Sequence, residues 1–212
     1  MSRVEAIITD FGGVLTSPLL DGFVAYQDIS GISVEELGTA MGKIWKRDGA
    51  HPLFELETGR MTEAAFLDGL GEQLTEQLGR PVRLDGFGQT YFQHLHPNER
   101  LIEYMRSLKD RGYRMAICTN NVREWEPLWR AKLPVEEIFT VVVDSGFVGM
   151  RKPEPEIYAL TLERLGVPAG ATLFVDDVEL NCDAARALGM HAVWFRSTDQ
   201  AIEEIESALD GS

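Results

Sequence analysis

The stretch Ala6-Ile7-Ile8-Thr9-Asp10-Phe11-Gly12-Gly13-Val14-Leu15 decides the fold. Its first four residues are apolar or β-branched, which is typical of a buried parallel strand. Asp10 follows at once, and open α/β sheets bind ligands at the carboxyl ends of their strands. Gly12 and Gly13 allow the backbone to turn sharply and to approach a ligand closely. The stretch therefore predicts either a functional carboxylate or an ordinary turn that ends a strand.

The composition limits the class of protein. The chain has 212 residues, of which 44% are hydrophobic and 25% are charged, as in a globular enzyme with one sizeable core. The formal net charge of -14 repels nucleic acid and anionic membranes, so we expect neither as a partner. No apolar run approaches the ~20 residues of a membrane span. The start lacks a secretion signal, and Cys118 and Cys182 define no disulfide framework, so we expect a cytoplasmic protein.

Four further stretches, each built on an apolar run, alternate with helical patterns and are predicted as strands, at residues 113–118, 139–143, 173–177 and 191–195. This alternation predicts an α/β fold with a doubly wound parallel sheet and right-handed crossovers. Residues 22–93 have little strand character, and Ser33 and Glu36 have the spacing of a capping box at a helix start. We therefore expect a helical cap domain at 17–94, inserted into a core domain formed by 1–16 and 95–212.

Polar side chains end three of the predicted strands: Asp10, Thr119, and the pair Asp176 and Asp177. Neighbouring parallel strands would bring these groups to one rim of the sheet, where three carboxylates would repel one another. A divalent cation resolves that repulsion, and oxygen-only ligands favour Mg²⁺. Lys152 can add positive charge, and the Thr119 hydroxyl can donate a hydrogen bond to an anion. This set of groups predicts phosphoryl transfer, against the alternative of unrelated strand-end turns.

In this order the residues resemble the motifs of the haloacid dehalogenase superfamily, which they match at Asp10-Phe11-Gly12-Gly13-Val14, Thr119-Asn120, Lys152-Pro153 and Asp176-Asp177. The segment 149–158 is particularly similar to the phosphatase domain of soluble epoxide hydrolases, and the helices of 17–94 resemble a helical cap. The resemblance implies a Mg²⁺-dependent phosphatase that acts on a small phosphorylated metabolite. It leaves open whether the protein is a monomer or a homodimer.

The resemblance also implies a role for each motif residue. Asp10 would be the nucleophile that forms an aspartyl-phosphate, with Thr119 and Lys152 as its catalytic partners. The substrate would contact Gly12, Gly13, Thr119, Asn120 and Lys152. The Mg²⁺ ligands would be Asp10, the Gly12 carbonyl and Asp177, with Asp176 acting through a water; the division between the two adjacent aspartates stays open.

One position departs from the family pattern. Family phosphatases carry a second aspartate, a general acid and base, where this chain has Gly12. Three explanations stay open: a leaving group that needs little protonation, another acid such as His51, or a protein that binds phosphate with little turnover. Dehalogenases of the family also lack that aspartate, so a 2-haloacid dehalogenase is the alternative enzyme. Dehalogenases, however, lack the metal-binding acidic pair, so Asp176 and Asp177 favour the phosphatase.

Overall fold

Five parallel strands form the central sheet: β1 (Ala6–Thr9), β2 (Arg114–Thr119), β3 (Val141–Asp144), β4 (Thr172–Asp176) and β5 (His191–Trp194). The structure is a computed structural model that describes residues 3–211. The strand order is β3-β2-β1-β4-β5, so the chain builds the sheet outward from β1 in both directions. This topology confirms the predicted doubly wound α/β fold.

The segment 17–94, which follows β1 in the chain, forms five helices: α1 (Leu19–Ser30), α2 (Val34–Asp48), α3 (Pro52–Glu57), α4 (Glu63–Leu78) and α5 (Phe87–Gln93). The remaining helices are α6 (Glu99–Asp110), α7 (Glu126–Arg130), α8 (Val135–Ile138), α9 (Ser145–Val148), α10 (Pro155–Leu165), α11 (Glu179–Ala187) and α12 (Thr198–Asp210). Short 3₁₀ turns cover Arg123–Trp125 and Ala169–Ala171. None of the helices in the described range is long and apolar enough to cross a membrane.

The register of the sheet sets the level of the site. Thr9 at the end of β1 lies opposite Ile117 of β2 and Val175 of β4. Asp10 and Asp176 therefore leave neighbouring strands at the same level, and the Asp10 backbone N–H donates to the Val175 carbonyl at 2.8 Å. The four residues of β1 are buried, as a central strand covered on both faces requires.

The two chain segments that connect the sheet to the helices of residues 17–94 are hydrogen-bonded to each other. Ser17 N donates to the His96 carbonyl at 2.7 Å, and Asn98 N donates to the Leu15 carbonyl at 2.9 Å. The Asn98 side chain adds a bond of 3.0 Å to the Val14 carbonyl. These paired crossings support a division into a core of 1–16 and 95–212 and a cap of 17–94, which we propose as the domain boundaries.

Candidate functional site

A buried lysine joins the ends of two strands. The Lys152 Nζ atom lies 2.8 Å from Asp10 Oδ1 and 2.6 Å from Asp176 Oδ2. The lysine side chain is 1% exposed, so water does not screen these contacts. Lys152 thus contacts both Asp10, which follows β1, and Asp176, the last residue of β4. The sequence predicts that these three residues meet at one rim of the sheet.

The two adjacent aspartates have different surroundings. Asp176 Oδ1 accepts hydrogen bonds from Val178 N at 2.8 Å and from Asn181 Nδ2 at 2.9 Å, while its Oδ2 contacts Lys152. Both oxygens of Asp176 therefore have protein partners. Asp177 lies beside the Gly13 backbone, because a Cβ atom at Gly13 would stand only 2.3 Å from Asp177 Oδ2. Of the pair, Asp177 is the carboxylate with more capacity for a further ligand.

The charges of the cluster do not balance. The pKa of Asp10 is raised to about 7, mainly by burial. Lys152 opposes this rise, while Asp176 and Asp177 add to it. Burial and the neighbouring Asp176 raise the pKa of Asp177 to about 6, against the lowering by Lys152. Burial alone would lower the pKa of Lys152, but Asp10 and Asp176 outweigh it and leave this pKa raised. The lysine therefore stays charged, and one positive charge faces three carboxylates.

The residues fit a divalent cation. Asp10, Asp176 and Asp177 each offer a carboxylate oxygen, and these oxygens lie within 4.8 Å of one another. An oxygen-only donor set with excess negative charge is the environment in which proteins bind Mg²⁺. Whether the Gly12 carbonyl joins these ligands stays a prediction.

Asn120 positions the lysine. Its Oδ1 accepts from the Lys152 backbone N–H at 2.8 Å, and its Nδ2 donates to the Lys152 carbonyl at 3.0 Å. The side chain thus bonds both backbone groups of Lys152, which the sequence did not indicate. Its predicted contact with substrate stays a prediction, since one N–H of the amide is still available.

Gly12 and Gly13, which follow Asp10 and Phe11, differ in the side chains that they allow. Gly13 has a φ of +76° and packs against Asp177, so a side chain there is excluded twice. Its N–H donates to Thr16 Oγ1 at 3.1 Å. Gly12 has no such backbone restriction, but a Cβ atom there would lie 2.7 Å from Leu19 Cδ2. The side chain of Leu19 therefore occupies the space that a side chain at position 12 would need.

A cavity of about 180 Å³ opens from the site into the helical segment. Asp10, Gly12 and Thr119 are among the residues that line it. Most of its wall is apolar or aromatic, with contributions from Leu19, Phe23, Leu37, Met41, Leu53, Leu56, Phe66, Leu70, Phe87, Tyr91, Phe92, Leu95, Val122 and Trp125. No lysine, arginine or histidine is found among the described residues that line it.

Glu57 is a carboxylate in this wall that sequence reasoning missed. It ends α3, and its Oε2 accepts from Arg151 Nε at 2.8 Å. The Arg151 guanidinium also lies over the Phe54 ring, 3.9 Å from its centroid. Glu57 directly follows the largely apolar run Leu53 to Leu56, but Glu55 lies within that run, so the sequence did not single out Glu57.

His51, the sequence candidate for a replacement acid, lies elsewhere. Its ring stacks on Phe54 with centroids 4.4 Å apart and meets Trp45 edge-on. Burial lowers the pKa of His51, and Arg151 lowers it further. His51 does not line the Asp10 cavity, so the structure gives no support to that role.

Family and structure comparisons agree with this geometry. Residues 4–189 match the model of the haloacid dehalogenase-like hydrolases. Phosphatase MT3486 of Mycobacterium tuberculosis is 32% identical over 229 residues, covering 99% of this chain and 98% of that protein. Sesquiterpene phosphatase astK of Aspergillus oryzae is 29% identical, covering 88% of this chain and 87% of its own length. Mouse acyl-CoA dehydrogenase family member 10 is 28% identical, but the chain spans only 19% of it.

Among solved structures, a HAD family enzyme of Bacteroides thetaiotaomicron, in complex with magnesium and inorganic phosphate, superimposes with a TM-score of 0.67. The sequence identity is 23%, and the match covers 92% of this chain and 96% of that one. This likeness shows the shared fold. The family match over residues 4–189, with the 32% identity to phosphatase MT3486, establishes that the chain belongs to the haloacid dehalogenase-like hydrolases.

Proposed function

We propose that the protein is a Mg²⁺-dependent phosphatase that hydrolyses a phosphomonoester through an aspartyl-phosphate on Asp10. The observation that carries the proposal is the buried Lys152 between Asp10 and Asp176. Asp177 offers a further carboxylate oxygen to a cation. Phosphatases among the relatives, such as MT3486, add support.

The residues of the chain prepare Asp10 for attack. Phe11 N donates to Asp10 Oδ1 at 2.7 Å, and Lys152 contacts the same oxygen. These contacts fix the carboxylate and leave Oδ2 to attack phosphorus. Thr119, which is 1% exposed and lines the cavity, would donate to a phosphoryl oxygen. Bound Mg²⁺ would supply charge neutralisation for the phosphoryl oxygens.

The function is tested by release of nitrophenol and phosphate from 4-nitrophenyl phosphate, with Mg²⁺ and with EDTA. We expect release only with the metal. Halide release from a 2-haloacid without metal would support the dehalogenase instead. Stabilisation by phosphate and Mg²⁺ without turnover would support a binding protein.

The two aspartates should differ in a Mg²⁺ titration of activity. We expect Asp177→Ala to raise the Mg²⁺ concentration for half-maximal activity by at least about tenfold, because a direct oxygen ligand is lost. Asp176→Ala should raise it less, since the oxygens of Asp176 already accept bonds from Lys152, Val178 and Asn181. The reverse order would show that Asp176 is the direct ligand.

The cavity supports a substrate with an apolar organic group. Its wall offers no cation to a second phosphate or carboxylate among the residues described, and an unpaired polar group there would be costly. The similarity to sesquiterpene phosphatase astK points the same way.

A series of primary alkyl phosphates tests this preference at nearly constant leaving-group pKa. We expect kcat/KM to rise with chain length by up to about fourfold per methylene until the cavity is full, from about 0.8 kcal/mol for each buried methylene. Glycerol phosphate and hexose phosphates serve as polar controls and should be poor substrates. Equal values for hexyl phosphate and glycerol phosphate would contradict the preference.

A further inference from the structure

The proposed reaction needs a proton carrier that position 12 does not provide. A proton must reach the leaving oxygen when its bond to phosphorus breaks, and a proton must leave the water that hydrolyses the aspartyl-phosphate. A substitute must border the Asp10 cavity, must be held in one orientation and must keep one oxygen free. His51 fails the first condition, because it does not line the cavity.

Tyr91 borders the cavity but cannot cycle a proton near neutral pH. Burial raises the pKa of its hydroxyl, and Glu57 and Asp177 raise it further. The phenol therefore stays protonated. Tyr91 and Glu57 line the same cavity as Asp10.

Glu57 meets all three conditions. It lines the cavity together with Asp10 and Gly12, and its side chain is 15% exposed. Arg151 Nε and Nη2 both lie 2.8 Å from the same oxygen, Oε2. Within residues 3–211 no donor is bonded to Oε1, so that oxygen is free to exchange a proton.

The helix that carries Glu57 is anchored to the core. Arg151 immediately precedes Lys152, so the ion pair ties the end of α3 to the segment that supplies the site lysine. Nearby, Gly59 approaches the core so closely that a Cβ atom there would lie 2.4 Å from the Gly146 carbonyl oxygen. Glu57 therefore has a defined position relative to the nucleophile.

We infer that Glu57 is the acid and base of the reaction and replaces the aspartate that is missing at position 12. The inference rests on the proposed phosphatase function. In the first step the Asp10 carboxylate forms a bond to phosphorus, the ester P–O bond breaks, and the Glu57 carboxyl gives its proton to the leaving oxygen. In the second step water attacks phosphorus, the Asp10–phosphorus bond breaks, and Glu57 takes the proton of the water. Asp10 and Glu57 end in their starting states.

The electrostatics around Glu57 suit both steps. Burial raises its pKa, while Arg151 and then Lys152 lower it. The charged or titratable groups that face it are Arg151, Lys152 and Tyr91. Burial thus favours the protonated form that donates, and Arg151 stabilises the carboxylate that remains.

The test uses Glu57→Gln, which keeps the shape and can still accept from Arg151. With 4-nitrophenyl phosphate, whose leaving group needs no acid, we expect a nitrophenol burst equal to the enzyme concentration. Steady turnover should then be at least about 100-fold slower than in the wild type, because acid–base groups contribute about 10²–10⁴-fold. With alkyl phosphates the burst should vanish. The matched control is Glu55→Gln in the same helix, whose carboxylate pairs with Arg60 at 3.0 Å and does not line the cavity.

A second variant separates chemistry from structure. Gly12→Asp with Leu19→Ala makes room for the family acid, and added to Glu57→Gln it should restore at least about tenfold of the lost turnover. A purely structural Glu57–Arg151 pair would not be rescued from position 12. Should Glu57→Gln fold poorly, Glu57→Asp keeps the charge opposite Arg151 and should still lose turnover.

The outcomes are distinguishable. Turnover of alkyl phosphates by Glu57→Gln within about threefold of wild type would overturn the role of Glu57 and leave the phosphatase proposal intact. A wild-type protein that releases no phosphate from any ester would overturn the proposed function, and the role of Glu57 with it.

Discussion

Asp10→Asn should abolish turnover and covalent phosphoryl-enzyme while the protein stays folded. The amide keeps the size of the carboxylate and can still accept from Phe11 N, which lies 2.7 Å from Oδ1. It cannot attack phosphorus, and losses from removing a nucleophile exceed about 10⁴-fold. Incorporation of labelled phosphate under acid quench measures the intermediate, and steady-state assays measure the turnover.

Stability provides the control for Asp10→Asn. Because the pKa of Asp10 is raised in the folded protein, its charged form is disfavoured there. The neutral amide should therefore not lower the melting temperature at pH 8. Near wild-type phosphate release by this variant would refute Asp10 as the nucleophile.

Lys152→Met should lose turnover and also destabilise the protein strongly. The substitution leaves Asp10 and Asp176 without their shared cation in a site where the lysine side chain is 1% exposed. Breaking a buried ion pair by removing one partner costs about 3–5 kcal/mol. Urea unfolding in EDTA measures that loss, and an exposed pair such as Arg47–Asp48, probed by Arg47→Met, should show little change.

The stability loss of Lys152→Met should depend on pH, and the direction of that dependence can be predicted. Without the lysine, the pKa of Asp10, already about 7, rises further. The folded state then binds more protons than the unfolded chain, whose aspartates titrate near their usual ~3.9, so stability falls as pH rises through that range. The loss should be larger at pH 8 than at pH 5.5. An equal loss at both pH values would show that the carboxylates are not what the lysine stabilises.

The sequence predicted the rim of the sheet because strand geometry dictates it. A strand such as β1, made of apolar and β-branched residues, is expected at the centre of the sheet, and the parallel register then brings Asp10 level with Asp176. Asp144 shows where that reasoning ends. It follows three valines, as an aspartate follows the apolar run of β1, yet its oxygens accept bonds from Trp129 Nε1 at 3.2 Å and Gly146 N at 2.9 Å. The local pattern alone does not separate a site carboxylate from a structural one.

The sequence predicts that the cap is helical, but it does not predict which cap residues line the cavity. Its helices have ordinary amphipathic patterns, and which residues line a cavity depends on how the helices pack. The contact of Leu19 with position 12 and the pairing of Glu57 with Arg151, 94 residues later, are products of that packing. Sequence periodicity carries no information on such distant pairs.

The contrast between Gly12 and Gly13 has an evolutionary consequence. A change of a single base converts either of the glycine codons GGT and GGC into an aspartate codon, so from these codons the ordinary family acid is one mutation away at position 12. The obstacle is the flexible end of Leu19, which can move aside. At Gly13 the left-handed backbone and the Asp177 carboxylate reject every such change. In a saturation library, position 12 should therefore tolerate small residues, position 13 should tolerate none, and lineages with and without the acid should be able to interconvert.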